Sequence, residues 1–275
     1  MTQPINLLYS IDDGYVDQFK TTLYSIVKNA SRKDFHVYIL QKPLLKRHEE
    51  IVQFCQKLGI SYKPVIIEEK AFDMAPTTDR YPETIYYRLL AHEYLPEELD
   101  KILYIDADIL CINDLVPLYE MELGDKLYAA ASHTEDSDIT DAINRLRLGN
   151  YESKSYFNSG VLLMNLTAIR WVVKREDIMA YISEKSNRLF LPDQDVLTAL
   201  YGHEIELIPD EIYNYDTRYF LLYVAKSKAE HGLDWVMAHT VFLHFCGRDK
   251  PWKKAYLGKF GSLYKHYWHL TQKEV

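Results

Sequence analysis

The 275-residue chain has few cysteines and no glycine-rich phosphate-binding loop. Its three cysteines, Cys55, Cys111 and Cys246, lie far apart and form no CxxC pair, which argues against a disulfide framework. Neither a GxGxxG motif nor a Walker-type GxxxxGK[ST] motif occurs in it. If the chain binds a nucleotide diphosphate, a metal ion and local cations must therefore neutralise most of the phosphate charge.

The features of exported, membrane-spanning and nucleic-acid-binding proteins are also absent from the sequence. No apolar run approaches the roughly 18–20 residues that a membrane span needs. The first residues lack the charged start and apolar stretch of a signal peptide. A net charge of −8 and a pI near 5.7 argue against a general nucleic-acid surface, which is usually basic. We therefore expect a cytoplasmic protein that binds no nucleic acid.

Short apolar runs alternate with segments of helical periodicity in the first part of the chain. The apolar runs that predict buried strands cover residues 5–11, 35–40, 62–67 and 101–105. The helical segments between them cover residues 16–30, 44–58 and 83–94. This alternation predicts an α/β fold with a mainly parallel sheet and helices on both faces.

The second part of the chain continues the pattern less regularly. Strands are predicted over residues 127–132 and 158–165, and one long helix over residues 167–186. Residues 133–156 are polar and charged, and read as a helical excursion or a loop. No repeat, linker or break in composition occurs, so one domain is the default.

Two aspartates stand directly after a predicted strand, in the segment Lys101-Ile-Leu-Tyr-Ile-Asp106-Ala-Asp108. Side chains two residues apart on a strand point the same way. At the carboxyl end of a strand in an open α/β sheet, both carboxylates can reach one cation in the ligand crevice. Oxygen ligands of this kind suit Mn²⁺ or Mg²⁺. The alternative is an ordinary polar turn after a strand.

A second polar motif, His244-Phe-Cys-Gly-Arg-Asp-Lys-Pro-Trp252, follows the last strand signal in the sequence, the apolar run over residues 241–245. His244 offers a nitrogen ligand, which favours Mn²⁺ over Mg²⁺. Gly247 allows a ligand to approach the backbone closely, and Lys250 can meet a phosphate as a point charge. The alternative for His244 is a hydrogen-bonded histidine of the core.

Four motifs stand in one order along the chain: Asp106-Ala107-Asp108, Asn158-Ser159-Gly160, Asp193-Gln194-Asp195 and the segment from His244 to Trp252. Together they resemble glycosyltransferase family 8, which includes bacterial lipooligosaccharide galactosyltransferases and the glycogenins. The resemblance runs from Leu7 to Trp252. It implies a GT-A fold over residues 1–252, followed by a C-terminal helical, aromatic and basic extension over residues 253–275.

The resemblance also implies an activity and its partners. A glucose or galactose unit would pass from a UDP-sugar to a saccharide or glycolipid acceptor, with retention of configuration and with Mn²⁺ or Mg²⁺ bound. The implied metal ligands are Asp106, Asp108 and His244. The implied nucleotide contacts are Asp12, Asp13, Gly14, Tyr15, Ala107, Gly247 and Lys250. The implied contacts to the donor sugar are Arg88, Asp106, Asn158, Asp193 and Gln194.

The implied catalytic residues are Asp193, Gln194 and Asp195. Gln194 matches the residue beneath the anomeric carbon, but its neutral amide is a poor nucleophile, which favours front-face attack by the acceptor hydroxyl. Asp195 as a covalent nucleophile is the alternative mechanism. Asp193 could cap the helix that follows Pro192, either as its only role or in addition to a catalytic one. Arg88 could be an ordinary charge on a helix surface.

One position departs from the family pattern. Gly14 stands where some members carry an amide side chain, which puts one contact to uracil in doubt. Asp12 matches the residue that hydrogen-bonds to the uracil ring, and Tyr15 matches the residue that stacks on it.

Other functions stay open at the level of sequence. A strand followed by Asp-x-Asp also resembles the aspartate-nucleophile phosphatases, although Ile109 follows where those enzymes usually have Gly-Thr. A carbohydrate-binding module without turnover and a self-glucosylating primer are further alternatives. The aromatic and basic segment 252–268 suits either peripheral membrane association on the inner face or a packed helix with a solvated basic face.

Overall fold

The computed structural model describes residues 3–68, 71, 72, 75, 77, 82–132, 156–185, 189 and 191–274. Nearly all of the segment predicted as a helical excursion or a loop, residues 133–155, lies outside the described residues.

A seven-stranded sheet forms the centre of the molecule, with a three-stranded sheet beside it. The large sheet has the order β3-β2-β1-β4-β7-β6-β8, and the small one has the order β5-β10-β9. The strands are β1 (Ile5–Ser10), β2 (Phe35–Gln41), β3 (Ser61–Ile66), β4 (Lys101–Ile105), β5 (Ile109–Cys111), β6 (Tyr128–Ser132), β7 (Phe157–Asn165), β8 (Ile205–Ile208), β9 (Tyr215–Asp216) and β10 (Phe242–His244).

Helices cover both faces of the large sheet, as the alternation in the sequence predicts. In the described residues they are α1 (Val16–Asn29), α2 (His48–Lys57), α3 (Thr84–Tyr87), α4 (Ala91–Tyr94), α5 (Val116–Tyr119), α6 (Leu166–Val172), α7 (Arg175–Lys185), α8 (Pro192–Tyr201), α9 (Asp210–Tyr213), α10 (Phe220–Lys226), α11 (Leu233–His239) and α12 (Gly261–Glu274). The strand residues alternate between two buried clusters. Leu7 and Tyr9 of β1 face one cluster and Leu8 faces the other, as a sheet covered on both faces requires.

The large sheet is mainly parallel, with one reversal that matters for function. β3, β2, β1 and β4 are parallel neighbours, and β6 is parallel to β8. β7 runs antiparallel to both β4 and β6. Because β7 is reversed, its first residues lie beside the last residues of β4, with Ile105 opposite Val161. The prediction of an α/β fold with a mainly parallel sheet is confirmed.

The single long helix predicted over residues 167–186 is wrong, because the chain forms two helices there. α6 ends at Val172, and the next residue, Val173, is extended (φ −81°, ψ 121°) and buried. Val173 belongs to the same apolar cluster as Ile169 and Ile178, which lie on the two helices. The chain therefore leaves the helix at Val173, which places this side chain in the core. Little helix stability is lost there, because β-branched residues have a slightly lower helix propensity.

The helix predicted over residues 83–94 is also interrupted. Arg88 to Leu90 form a 3₁₀ turn between α3 and α4. All three residues of this turn are buried, including the charged Arg88.

The C-terminal helix α12 packs against the rest of the domain. Tyr264 is fully buried in an apolar cluster with β10, and Asn29 of α1 donates a hydrogen bond to the hydroxyl of Tyr267 at 2.8 Å. Among the described residues, no helix combines the length and the apolar character that crossing a membrane requires.

His92 makes the fold sensitive to acid. This side chain is 7% exposed, and burial, aided by Arg170, Lys174 and Arg175, lowers the pKa of His92 to about 4. The unfolded chain takes up this proton below about pH 6.5 and the folded chain does not, so stability present at pH 7 is lost as the pH falls through this range.

We expect His92 alone to lower the free energy of unfolding by about 2–3 kcal/mol between pH 7 and pH 4.5. Urea unfolding at both pH values measures this difference. His92→Gln should reduce the pH dependence by that amount, and an equal pH dependence in this variant would contradict the assignment.

Candidate active site

The structure brings the three predicted metal ligands together where β4 and β10 end. His244 Nε2 lies 3.2 Å from Asp108 Oδ1 and 4.0 Å from Asp106 Oδ2. One ligand atom from each residue lies within 4.8 Å of the other two. Ligands on opposite sides of an ion bound at about 2.2 Å are ~4.4 Å apart. Two carboxylates and an imidazole in this arrangement fit one divalent ion.

Backbone hydrogen bonds hold both aspartates at this edge. The N–H of Asp106 donates to the carbonyl oxygen of Gly160 at 2.8 Å, which continues the pairing of β4 with β7. The N–H of Phe245 donates to the carbonyl oxygen of Asp108 at 3.0 Å, which extends the pairing of β5 with β10 in the small sheet. The two aspartates are therefore fixed by two different strands.

Lys250 pairs with Asp108 and also donates to the carbonyl oxygen of Phe245 at 2.8 Å. Burial by itself would raise the pKa of Asp108, but Lys250 and His244 hold it well below its usual range. Burial opposes the charged form of His244, yet Cys246 and Asp108 raise the pKa of His244 well above its usual value. The predicted phosphate-binding lysine therefore lies beside the metal-ligand cluster and stabilises its charge.

Arg88 is a second cation of the site and lies beside Asp106 and Asp193. Its Nη2 lies 3.0 Å from Asp106 Oδ1 and its Nη1 lies 3.4 Å from Asp193 Oδ2. Nη1 donates to the carbonyl oxygen of Ser159 at 2.9 Å, and the guanidinium stacks 4.2 Å above the ring of Tyr104. Arg88 is 5% exposed, so it is a buried partner of two carboxylates and not a surface charge.

The first turn of α8 carries Asp193, Gln194 and Asp195. Burial raises the pKa of Asp193 above its usual value, although Arg88 and the hydroxyl of Ser159 oppose the shift. Leu191 is the N-cap residue of α8, and the side chain of Asp193 accepts a hydrogen bond from Ser159 at 2.6 Å. Asp193 is therefore not the N-cap residue of α8, and its carboxylate bonds to Ser159.

Asp195 and Gln194 differ in exposure. Asp195 is fully buried: its Oδ1 accepts from the hydroxyl of Tyr156 at 2.8 Å and its Oδ2 from the N–H of Leu191 at 3.2 Å. Gln194 is partly exposed on the same turn. Asp195 thus braces the start of the helix on which Gln194 stands.

The loop after β1 contains four of the predicted nucleotide contacts, residues 12–15. Asp12 Oδ1 accepts from the N–H of Gly14 at 2.8 Å, which closes a tight turn. Asp13 Oδ1 accepts from the N–H of Arg47 at 3.0 Å and ties the loop to the start of α2. The bond to Arg47 uses the Asp13 carboxylate within the protein, whereas Asp12 and Tyr15 are exposed.

Tyr15 lies next to the motif that ends in Trp252. Its ring is 39% exposed and meets the ring of Trp252 edge-to-face, with centroids 6.0 Å apart. Lys250 Nζ lies 5.8 Å from the centroid of the same Trp252 ring. Trp252 therefore connects the exposed tyrosine to the charged cluster, a role that the motif alone did not indicate.

Two backbone positions complete the predicted nucleotide contacts. The carbonyl oxygen of Ala107 accepts from the hydroxyl of Thr22 at 2.9 Å, so α1 supports the loop between the two aspartates. Gly247 has a φ of 85°, which side-chain-bearing residues rarely adopt. A Cβ at Gly247 would also lie 3.0 Å from Arg218 Nη1. Both observations explain the need for glycine there.

Comparison with known proteins connects this geometry to a family. The family described as glycosyl transferase family 8 matches residues 6–255. The chain belongs to this family. A protein from Escherichia coli named lipopolysaccharide 1,2-glucosyltransferase is 30% identical over 261 residues, which cover 91% of this chain and 74% of that protein.

Other relatives and solved structures agree with the assignment. A lipopolysaccharide 1,3-galactosyltransferase from Salmonella typhimurium is 24% identical over 90% of this chain and 72% of its own length. The crystal structure of the galactosyltransferase LgtC, in complex with donor and acceptor sugar analogues, superposes with a TM-score of 0.79 at 20% identity. It covers 97% of this chain and 96% of that chain, which confirms the GT-A fold.

Membership in family 8 makes this chain a glycosyltransferase. It also excludes the aspartate-nucleophile phosphatase suggested by the strand followed by Asp-x-Asp. The individual roles of the site residues stay predictions, and the structure supports them by bringing the four motifs to one edge of the sheet.

Several of the described residues near the predicted metal ligands did not enter the predicted set, among them Tyr104, Ser159 and Asn214. Tyr104 and Ser159 lie inside the motifs, and their contacts to Arg88 could have been suspected from that position alone. Asn214 lies in a tyrosine-rich segment with no motif, yet its Oδ1 is 2.8 Å from His244 Nδ1. No signal in the sequence connects Asn214 with a histidine 30 residues away.

Gly160 allows the close approach of the metal-ligand cluster to β7. A Cβ at this position would lie 2.4 Å from His244 Cε1 and 2.9 Å from Asp106 Oδ2. We expect Gly160→Ala to displace both ligands and to weaken Mn²⁺ binding by about tenfold or more, measured by titration with electron paramagnetic resonance of free Mn²⁺.

Gly232→Ala is the matched control for this substitution, because nothing lies within 4 Å of the added Cβ and φ is −71°. Equal Mn²⁺ affinity in the Gly160→Ala and Gly232→Ala variants would contradict the close-approach argument.

Proposed function

We propose that this glycosyltransferase moves glucose or galactose from a UDP-sugar to a saccharide or glycolipid acceptor, with retention of configuration and with Mn²⁺. The observation that carries the proposal is the cluster of Asp106, Asp108 and His244 directly beside the Arg88–Asp193 pair. A metal-ligand cluster suits the donor's diphosphate, and the neighbouring buried pair offers both donors and acceptors to sugar hydroxyls.

The names of relatives support a hexose donor but not one particular hexose. Relatives named lipopolysaccharide glucosyltransferase and lipopolysaccharide galactosyltransferase both match most of this chain. Glucose and galactose differ in the configuration of one hydroxyl, so the donor must be identified by experiment.

The donor's phosphates meet three features of this chain. A divalent metal held by Asp106, Asp108 and His244 would offset the charge that develops on the leaving diphosphate. Lys250 is close enough to Asp108 to exchange this partner for a phosphate oxygen. Gly247, with its positive φ, leaves its backbone open to a phosphate. These features take the place of a glycine-rich loop.

In this proposal, the uracil and the sugar of the donor lie on opposite sides of the cluster formed by Asp106, Asp108 and His244. Tyr15 presents an exposed ring, supported by Trp252, on which uracil can stack. Arg88 and Asp193 are held on the other side by Ser159. A sugar bound there would make its hydrogen bonds at a buried ion pair, where the low local dielectric strengthens them.

Transfer then needs little covalent chemistry from the protein. The acceptor oxygen bonds to the anomeric carbon while the bond from that carbon to the β-phosphate oxygen breaks. The hydroxyl proton passes to the leaving phosphate, on the same face of the sugar. Gln194 stabilises the positive charge of the sugar ring through its amide oxygen. Asp195 braces the helix start, since both of its carboxylate oxygens already accept hydrogen bonds.

Release of UDP from a panel of UDP-sugars tests the proposal directly. We expect slow hydrolysis of one donor by the purified protein, lost on addition of EDTA and restored by Mn²⁺. Asp108→Asn should lower the rate by about 100-fold or more, because it removes a charged ligand. Asp125→Asn, a change at an exposed position in a turn, is the matched control and should retain the rate.

Metal-dependent binding of UDP without release of UDP from any donor would favour the carbohydrate-binding module instead. A mass increase of the protein itself by one or more hexoses would favour the self-glucosylating primer.

We further infer that the chain works at the cytoplasmic face of a membrane, where a glycolipid acceptor would lie. The segment after Trp252 exposes Leu257 at 96% beside Lys253 and Lys254. Lys259 Nζ stacks 4.2 Å over Phe220, which joins this segment to α10 and its exposed Leu221. Exposed leucines among lysines suit an anionic lipid surface.

Liposome flotation tests the membrane proposal. The protein should float with vesicles that contain phosphatidylglycerol and not with pure phosphatidylcholine, because the lysines need anionic lipid. Leu257→Ser combined with Lys254→Glu should reduce flotation several-fold. Trp171→Ser, at another highly exposed apolar position, is the control, and an equal loss in both variants would contradict this surface.

A further inference from the structure

We propose that Asn214 is a positioning residue of the active site, which orients His244 for the metal and couples it to the sugar contact Asn158. The proposal rests on the proposed function, because it assigns a partner to one of the implied metal ligands. Asn214 is fully buried at the end of α9, and its N–H donates to the carbonyl oxygen of Asp210 at 3.0 Å.

The direction of each hydrogen bond follows from one backbone donor. The N–H of Gly160 can only donate, and it meets Asn158 Oδ1 at 2.9 Å. Asn214 Nδ2 donates to the same Oδ1 at 2.8 Å. The Oδ1 of Asn214 must then face His244 Nδ1, at 2.8 Å. An amide oxygen can only accept, so His244 Nδ1 carries a proton.

This order of donors decides which nitrogen of His244 can bind a metal. With the proton held on Nδ1, the lone pair of neutral His244 is on Nε2. Nε2 is the atom that faces Asp108 at 3.2 Å. A hydrogen bond on the far nitrogen fixes the ring orientation of a metal-binding histidine and raises its basicity. Asn214 supplies this bond.

The same chain restricts what Asn158 can do. Both of its hydrogen bonds, from Gly160 and from Asn214, go to Oδ1. Because Oδ1 already accepts these two hydrogen bonds, a sugar hydroxyl would accept a hydrogen bond from Asn158 Nδ2. Since His244, Asn214 and Asn158 are all buried, displacing one amide disturbs the other. Metal binding and sugar contact are thus linked through Asn214.

Two substitutions separate the hydrogen bond of Asn214 to His244 from its hydrogen bond to Asn158. Asn214→Ala removes both and should weaken Mn²⁺ binding by about 10–100-fold. Asn214→Asp keeps an oxygen for His244 Nδ1 but loses the N–H donor to Asn158. It should hold Mn²⁺ within about threefold of wild type while raising KM for the donor sugar.

Asn6→Ala is the matched control. Asn6 is also buried in the large sheet, but its side chain donates to Tyr119 and to the carbonyl oxygen of Lys101, at the opposite end of β4 from Asp106. It should lower the unfolding temperature while leaving Mn²⁺ affinity unchanged, which separates a loss of stability from a loss of positioning.

The Mn²⁺ titration is done without donor or acceptor, so it does not depend on turnover. Unchanged Mn²⁺ affinity in Asn214→Ala would overturn the inference while leaving the proposed function intact. An equal loss of affinity in Asn6→Ala would also overturn it. A wild-type protein that binds no Mn²⁺ would overturn both. Weaker binding in Asn214→Ala that Asn214→Asp restores would support it.

Discussion

Negative charge concentrated at a partly buried edge of the sheet is the constraint on which the site depends. Its carboxylates, held within one network, are Asp106, Asp108 and Asp193. Burying unpaired carboxylates would cost several kcal/mol each, so the fold must supply cations. Arg88 lies between Asp106 and Asp193, and Lys250 pairs with Asp108. The same pairing of carboxylates with cations thus stabilises this region and shapes a cluster of ligands that suits a divalent ion.

The reversed strand β7 makes this concentration possible. If β7 ran parallel to β4, the carboxyl ends of both strands would lie beside Asp106, and the start of β7 would lie at the opposite end of the sheet. Because β7 is antiparallel, the segment Asn158–Gly160 meets the end of β4. Gly160 then lets His244 approach the strand within a distance that no side chain would permit. The metal-ligand cluster therefore needs both a topological reversal and a missing Cβ.

Hydrogen bonds from neighbouring helices hold the residues of the metal-ligand cluster and its connecting loop in place. Thr22 of α1 supports Ala107, and Asn214 at the end of α9 holds His244. Two different helices thereby fix the positions of Ala107 and His244 in the candidate site. A site built in this way is preorganised, since the side chains need little rearrangement when a charged ligand arrives.

Much of the fold and the charged centre could be predicted from sequence. The alternation of apolar runs predicts the α/β class because burial on both faces requires apolar residues throughout a strand. Asp106 and Asp108 can be recognised because a strand's period of two aligns them at its end. The split between α6 and α7 was missed, since helical spacing continues through Val173 and only the core cluster shows that this residue leaves the helix.

The sequence by itself determined which side chains carry charge and which segments are apolar, because these properties belong to single residues and to local periods. Only the tertiary structure decided that Arg88 is buried between two carboxylates and that Asn214 holds His244. Both contacts join residues that are far apart in the chain, and hydrogen bonds of this kind leave no local pattern. Their geometry arises from strand order and close packing, which only the folded chain defines.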